Sequence, residues 1–225
     1  MSTPSQAPAP AQAPSARTQV KRISENARYD QDSLYAIVDE AYVCHVAFHD
    51  QSGSHCIPTA CWREGDFLYI HGANASRLCK VLRDGVQACV AILHLDGLVL
   101  ARAAFNHSMN YRSAMIYGSF SVVPEHEKAA AMIAFMDKIA PGRQAQVREG
   151  NRAELAGTTL LKISLQESVC KTRQGGPNDD EDDLTLPVWA GVLPLQLKAM
   201  PPIAADNTQE GGAPDYVQTW ETRHA

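Results

Sequence analysis

Apolar positions along this chain alternate more often than they recur at helical spacing. From Tyr42 to His49, Cys44, Val46 and Phe48 share one side and Val43, His45 and Ala47 the other, the two-residue period of a half-buried strand. A turn at Gln51-Ser52-Gly53 leads into a second strand over His55 to Arg63. Glu64-Gly65-Asp66 turns again, and Phe67 to His71 makes a third, so the spacing predicts a meander of antiparallel hairpins. Two further strands, Val86 to Leu95 and Leu98 to about Ala103, are predicted around an Asp96-Gly97 hairpin signal. Tyr111 to Val123 and Thr158 to Leu165 complete the β-type runs. Three segments carry helical spacing instead. Asp30 or Asp32 caps the first, with Leu34, Ile37, Val38 and Ala41 on one face. Ser76 begins the second, which carries Leu78, Val81 and Leu82 and ends at Gly85. Pro124, Glu125 and Glu127 open the third; its Met132, Ile133, Met136 and Ile139 are expected to face the sheet, and Pro141-Gly142 stops it. Many antiparallel strands with few helices predict a mainly β fold, a small barrel with helices packed outside.

Composition sets the limits of this patterned body. Residues 1–18 are mostly Ala, Pro, Gln and Ser and are expected to form a disordered tail; 20–198 reads as one domain, and 199–225 as a weakly patterned C-terminal extension. The 225 residues carry a formal charge of −5 from 25 acidic and 20 basic side chains. Five of the acids form one run, Asp179-Asp180-Glu181-Asp182-Asp183, and the remainder balances. No basic stripe is present, which argues against a general nucleic-acid binder. The longest mostly apolar uncharged stretch, Leu184 to Leu197, is 14 residues and holds two prolines. A membrane span needs about 20, so no membrane association is expected. Met1 to Ala16 lacks the basic and apolar regions of a secretory signal. Six scattered cysteines with no CxxC pair read as the reduced thiols of a cytoplasmic protein.

Candidate chemistry gathers in three segments. In Phe67 to Leu78 a strand ends at His71, a small-residue loop crosses over, and a helix opens with Ser76 and Arg77. Backbone N–H groups at a helix start, the arginine's paired donors and the close approach allowed by Gly72 and Ala73 all suit a phosphate. An N-cap serine followed by a solvated arginine is the plainer alternative. In Ile57-Pro58-Thr59-Ala60-Cys61-Trp62 the proline marks a strand edge or bulge, because it cannot donate to the ladder. A flat aromatic ligand fits along such backbone beside the Thr59 hydroxyl; an ordinary edge strand with Trp62 turned inward fits equally. Phe105 to Ser113 crowds polar and aromatic groups ahead of a β run, where turn-making Asn and Ser with a solvated Arg112 is again the alternative. Eight histidines raise the question of a metal. His45 and His49 share a strand face near His55, Cys56 and Cys61, but no tetrad has zinc spacing and alternation explains the strand, so no metal site is expected. The acidic run reads as a solvated loop. No GxSxG elbow, P-loop or GxGxxG is present.

Taken together, several segments resemble one family. They are Arg22, Arg28-Tyr29-Asp30, Pro58-Thr59 with Trp62-Arg63-Glu64-Gly65-Asp66-Phe67-Leu68-Tyr69-Ile70-His71-Gly72-Ala73, His107-Ser108-Met109-Asn110-Tyr111-Arg112-Ser113, and Leu186 to Pro194. The combination is similar to the flavin-nucleotide-binding proteins of the pyridoxamine 5′-phosphate oxidase superfamily, nearest to the branch holding the 5-nitroimidazole-resistance (Nim) proteins, over about residues 20–198. The resemblance implies a six-stranded antiparallel Greek-key split β-barrel that forms a homodimer with FMN in clefts between the subunits. It implies an oxidoreductase that reduces a small acceptor such as a nitroaromatic or a quinone. Matched position by position, Ser76 and Arg77 would hold the FMN phosphate, with Ile70, His71 and Gly72 lining its path. Pro58, Thr59 and Ala60 would lie beside the isoalloxazine ring, Arg112 and Ser113 would contact flavin, and Trp189 would come from the other subunit. His71 is the implied catalytic proton donor; an imidazole titrates near neutrality and sits at a strand end expected to face the phosphate loop. The C-terminal arginine and tryptophan pattern with which true pyridoxamine-phosphate oxidases grip substrate is missing, so that activity is not expected. The superfamily also has haem branches, so a haem-binding or haem-degrading protein and a non-catalytic flavin module stand as alternatives.

Overall fold

The computed structural model of the protein describes residues 12–208 and 212–218. A two-residue strand β1 (Ala27–Arg28) precedes helix α1 (Gln31–Glu40), whose N-cap Asp30 accepts the Ser33 N–H at 2.8 Å and whose Leu34, Ile37 and Val38 are buried as the spacing predicts. Strands β2 (Val43–Asp50) and β3 (Gly53–Glu64) pair in unbroken register from Val43 opposite Ala60 to Asp50 opposite Gly53. The chain continues through β4 (Phe67–Ala73), α2 (Arg77–Arg83), β5 (Gln87–Leu100), β6 (Ser108–Ser119) and β7 (Ser121–Val122). Then follow α3 (Lys128–Ile139), α4 (Arg152–Gly157), β8 (Thr158–Ser164), β9 (Ser168–Arg173), β10 (Gly191–Pro194) and the short α5 (Asp215–Gln218).

Every pairing is antiparallel, in the order β1-β9-β6-β5-β2-β3-β4-β8-β7, with β10 joined to β5. The mainly β class with flanking helices holds, but among the described residues the sheet has ten strands where six were expected, and its path does not close. The additions are chiefly short: β1 and β7 have two residues each and β10 four, too few for alternation to register in the sequence. The Asp96-Gly97 hairpin does not form either. β5 runs straight through both residues with a register shift between Leu95 and Gly97, so the pair makes a bulge.

Inward side chains of β2, β4, β5, β6 and β8 pack with α1 and α2 into the main core, around Val38, Val46, Ile70, Leu82, Val90 and Ile116. A second, smaller cluster lies across the sheet under α3, built from Trp62, Tyr69, Val123, Ala131 and Leu160. The α3 face differs from expectation. Ala131, Met132, Ala134 and Phe135 make the contact, while Ile133 and Ile139 are 42% and 39% exposed. The patch that the helix meets is aromatic, and the Phe135 ring, 4.9 Å from that of Trp62, takes the place expected for the isoleucines.

The expected N-terminal tail divides. Residues 1–11 lie outside the described residues, whereas Thr18 is buried, Ser15 Oγ donates to Glu167, and the Arg17 guanidinium stands 5.4 Å over the Tyr117 ring. The acidic run is not wholly solvated, because the Asp179 side chain is buried and accepts from Arg102 Nη1 at 2.6 Å and from the Arg102 N–H at 2.7 Å. Residues 199–208 form neither helix nor strand, with a turn at Asp206-Asn207 closed by the Thr208 N–H on the Ala205 carbonyl at 2.9 Å, and all but half-buried Ala199 are exposed. Among the described residues, no helix is long and apolar enough to cross a membrane.

Candidate functional site

β3 changes neighbour at Cys61, and this makes an opening. Residues 61–64 pair with β4, from Cys61 opposite Ile70 to Glu64 opposite Phe67. Residues 53–60 pair only with β2, and β4 from His71 to Ala73 pairs only with β8. The two strands therefore part as a wedge with unpaired backbone on both sides. Pro58 sits on this open edge for a physical reason. The Cys61 N–H donates to the Tyr42 carbonyl at 3.1 Å, so alternation turns the Pro58 nitrogen away from β2 and into the wedge, where no ladder bond is lost. Pro58, Thr59 and Ala60 line one side; Ile70 stands at the apex, with His71 and Gly72 on the other side.

α2 closes the wide end. Ser76 caps it, its Oγ accepting the Cys79 N–H at 3.2 Å. The helix packs tightly on β4 because residue 72 is glycine: a Cβ there would stand 2.9 Å from Cys79 Sγ and 3.5 Å from Ser76 Oγ. From α2, Arg77 crosses toward the β2–β3 hairpin, donating to Ser52 Oγ at 3.2 Å and lying 3.3 Å from His55 Nε2. Asp50 organises that hairpin, accepting from the Ser52 Oγ at 2.7 Å and the Ser52 N–H at 2.8 Å and lying 2.9 Å from His55 Nε2. The Ser52 hydroxyl first, then the imidazole, hold its carboxyl below the usual carboxylate range. No carboxylate pairs with Arg77 among the described residues, so its charge is held by a hydroxyl and an imidazole. Ser52 and His55 were missed by sequence reasoning. The available signal was a histidine five residues after an aspartate across a two-residue turn.

His71 does not face α2. Successive residues of β4 point to opposite faces, so Ile70 and Gly72 address the core and α2 while His71 joins Trp62 and Tyr69 under α3. Its ring lies 5.8 Å from that of Trp62 and 4.6 Å from that of Phe135. Burial there lowers its pKa, favouring the neutral imidazole. Its Nδ1 is buried without a hydrogen-bond partner, as is Trp62 Nε1.

The remaining predicted residues lie apart from the wedge. Arg112 and Ser113 are neighbours on β6, three strands from β3, and point to opposite faces. The Arg112 guanidinium is shared between Asp96, at 2.8 and 3.0 Å, and Glu40, one contact at 2.9 Å, with Glu40 also 3.7 Å from His94. These two carboxylates raise the arginine's pKa, and Arg112 in turn lowers that of Glu40. Ser113 Oγ donates to the Lys171 carbonyl at 3.2 Å. Trp189 precedes β10, 67% exposed, with its ring folded over Gly191.

Comparisons with known proteins agree with this architecture. The sequence model described as pyridoxamine 5′-phosphate oxidase matches residues 30–172. A flavocytochrome from Azotobacter vinelandii is 37% identical, with a TM-score of 0.87 over 92% of this chain and 97% of that one. A FAD- and haem-binding protein from Mycobacterium smegmatis is 32% identical, with a TM-score of 0.83 over 86% of this chain and 96% of that one. A protein assigned to 5-nitroimidazole antibiotic resistance in Bacteroides thetaiotaomicron shares the fold at 20% identity, with a TM-score of 0.54 over 64% of this chain and 85% of that one. No curated protein sequence matches the chain.

Proposed function

The chain belongs to the pyridoxamine 5′-phosphate oxidase family, and from that premise we propose that it is a flavin-dependent oxidoreductase with FMN in the wedge between β3 and β4. One observation carries the reading: Arg77, at the mouth of a cleft with free backbone edges, is an arginine without a carboxylate partner. The residues present suit a flavin nucleotide. Arg77 and the Ser76 hydroxyl supply charge-assisted and neutral hydrogen bonds for a phosphate. The unpaired groups of β3 from Gly53 to Ala60 offer donors and acceptors to a planar heteroaromatic ring, and Gly72 keeps α2 close. When bound, the flavin supplies the electron transfer; the protein positions it and excludes water. His71 holds the transferable proton, on the α3 face of the same strand whose other face meets α2. The acceptor on this reading is a small molecule, a nitroaromatic or a quinone.

The protein acts as a homodimer on this reading. Leu93 and Val43, 64% and 50% exposed, lie on the outward side of β5 and β2, away from the core, and Trp189 is similarly uncovered. Such apolar surface on the outside of a sheet suits a second copy of the chain. A flavin absorption spectrum of the purified protein, with chromatography of the released cofactor to separate FMN from FAD, tests the assignment. A colourless protein that takes up no flavin on titration overturns it. Replacing Arg77 with Ala should weaken flavin binding by roughly 10- to 150-fold, about 1.5–3 kcal/mol, and leave the fold intact.

A second reading adds haem, because two of the similar solved structures, each above 30% identity, are described as a flavocytochrome and a FAD- and haem-binding protein. Exposed His107 would be the residue to hold the haem iron: its Nδ1 lies 3.0 Å from the Ala103 carbonyl, which orients the ring and leaves Nε2 for a ligand. A haem absorption band, lost in His107→Ala with the flavin bands retained, supports this arrangement. An unchanged haem band in that variant removes His107 from it.

A further inference from the structure

Arg77 does not meet His55 as an ordinary donor meets an imidazole. Its Nη1 lies 3.4 Å from Nδ1 and 3.3 Å from Nε2. No atom in the plane of the ring can stand so evenly from both nitrogens without colliding with the carbon between them, so the guanidinium lies over the ring's face. A neutral imidazole accepts a cation there, and a protonated one repels it.

The rest of the β2–β3 hairpin decides where the protons are. An ionised carboxylate only accepts, and the Asp50 carboxyl is held below the usual carboxylate range. Its Oδ1 lies 2.9 Å from His55 Nε2, and Ser52 Oγ, 3.2 Å from the same nitrogen, donates to the same oxygen. Nε2 therefore carries the proton of the neutral ring, and a second proton has only Nδ1 to go to. Phe48, directly across from His55 on β2 with the ring centroids 5.2 Å apart, adds no charge. Two charged groups thus face the imidazole from the elements packed against it, Asp50 from β2 and Arg77 from α2. The other cations of α2, Lys80 and Arg83, stand in its last turn, and His49, on the opposite face of β2, lies 3.2 Å from Ser54 Oγ. The two charges oppose one another: the carboxylate favours a second proton on His55, and the guanidinium disfavours it.

We propose that His55 is a proton-coupled second member of the anion seat at Arg77: when Arg77 turns to a phosphate, His55 takes up one proton from solvent at Nδ1. The turn removes the opposing cation from the ring's face and brings a dianion close to it, while Asp50 stays in place. Proton binding to His55 therefore strengthens when the seat is filled. By linkage the anion is held most tightly below the titration midpoint of the free protein, and the advantage is lost as pH rises through the midpoint of the complex. At a partly exposed site, exchanging charges over about 5 Å is worth roughly three- to tenfold in proton affinity. The inference rests on the phosphate seat of the proposed flavin site, but sulfate tests it without a flavin. Sulfate keeps both charges wherever an imidazole titrates, unlike a phosphate monoester, whose second ionisation lies at about 6.

The test follows the His55 Cε1–H resonance against pH by ¹H–¹³C correlation in the flavin-free full chain. Sulfate is then added until the Ser76 and Arg77 amide shifts saturate. The midpoint should rise by about three- to tenfold in proton affinity with sulfate and likewise with FMN, and stay in place with chloride at equal ionic strength. In Arg77→Ala the free protein should already titrate higher, because the opposing cation is gone, and sulfate should change nothing. In His55→Gln the sulfate affinity should lose its fall with rising pH. An unmoved or lowered midpoint with the amide shifts saturated overturns the proposal, and so does a seat that takes neither sulfate nor FMN. A midpoint that rises with sulfate in a protein that binds no FMN keeps this inference and removes the flavin assignment; FMN bound without any rise does the reverse.

Discussion

Substituting Gly72 with Ala tests the seat of α2, on which the candidate site depends. The Gly72 backbone has an ordinary negative φ, since it is not among the glycines in the left-handed region, so an alanine there meets no conformational strain. The cost is steric. The new Cβ would stand 2.9 Å from Cys79 Sγ, where ordinary contact begins near 3.4 Å, so the two must separate by at least about half an ångström. Cys79 cannot turn aside, because it is buried in the main core beside Leu78 and Leu82. The helix must move, and overpacking of this kind costs about 1–3 kcal/mol. That outweighs the roughly 0.4–1 kcal/mol that Gly→Ala gains by restricting the unfolded chain. Urea unfolding of Gly72→Ala, Cys79→Ala and the double variant isolates the clash. With the sulfur removed, adding the methyl should be neutral or slightly stabilising, giving a coupling energy of about 1–3 kcal/mol. Because Ser76 and Arg77 ride on the same helix, flavin affinity should fall in the single variant and recover in the double. Additivity within about 0.5 kcal/mol would refute the reasoning, since the cost would then lie elsewhere than in the Cβ–Sγ contact.

Arg112→Ala should destabilise the fold by about 1–3 kcal/mol, by unpairing Glu40 and Asp96, and leave flavin affinity unchanged; lost affinity at full stability would return Arg112 to the site. The same pair has a pH signature. Arg112 lowers the Glu40 carboxyl, so its stabilisation is complete above the ordinary carboxylate value and is lost as pH falls through the folded-state value, and the variant should lack that acid limb in unfolding titrations. For His71 the lowered pKa means that the unfolded chain binds more protons, so its contribution is complete above the ordinary imidazole value and falls as pH drops below it. His71→Phe should flatten the stability profile there, and an identical slope in both proteins would contradict the burial argument. Leu93→Glu, placing a charge on the outward face of β5, should convert a dimer to a monomer in sedimentation with the unfolding midpoint of the protomer little changed.

Strands with long alternating stretches were legible from the sequence, and so was the helix Asp30 caps. Cys44, Val46 and Phe48 share one face as read, which the fold buries, and Ser76 caps α2 as its position implied. Short strands were not legible, because two to four residues hold no period, and their pairing is decided by partners far along the chain. The Asp96-Gly97 signal failed because β5 keeps β6 as a neighbour on both sides of it, while its other edge passes from β2 to β10. A dipeptide can make a tight turn, but continuous pairing with a long neighbour overrides it. Pro58 was the informative residue for the site, marking the edge where β3 leaves β4. Alternation already held the direction of His71: if Ile70 is inside, its neighbour is on the other face, and the expected view of the phosphate loop from His71 is excluded by the pleat.

The two arginines proposed for flavin contact show what sequence could not supply. Both follow the polar pattern of an anion site, and nothing within a few residues distinguishes them. The distinction comes from chain segments that only folding brings near. Glu40 lies 72 positions before Arg112 in sequence and Asp96 lies 16 before it, yet both carboxylates close on its guanidinium. Arg77 meets Ser52, 25 positions away, and receives a hydroxyl instead of a charge. An arginine neutralised by two carboxylates has no net charge to offer a phosphate, and extracting it would strand two anions at the end of α1. Arg77 can turn from a hydroxyl and an imidazole to a phosphate at the cost of weak contacts alone, at 3.2 Å to Ser52 and 3.3 Å to His55. The protein's overall charge of −5 therefore has little bearing on whether it holds an anionic cofactor. What decides is which cation the fold leaves without a counter-ion, and that is fixed by contacts between distant parts of the chain.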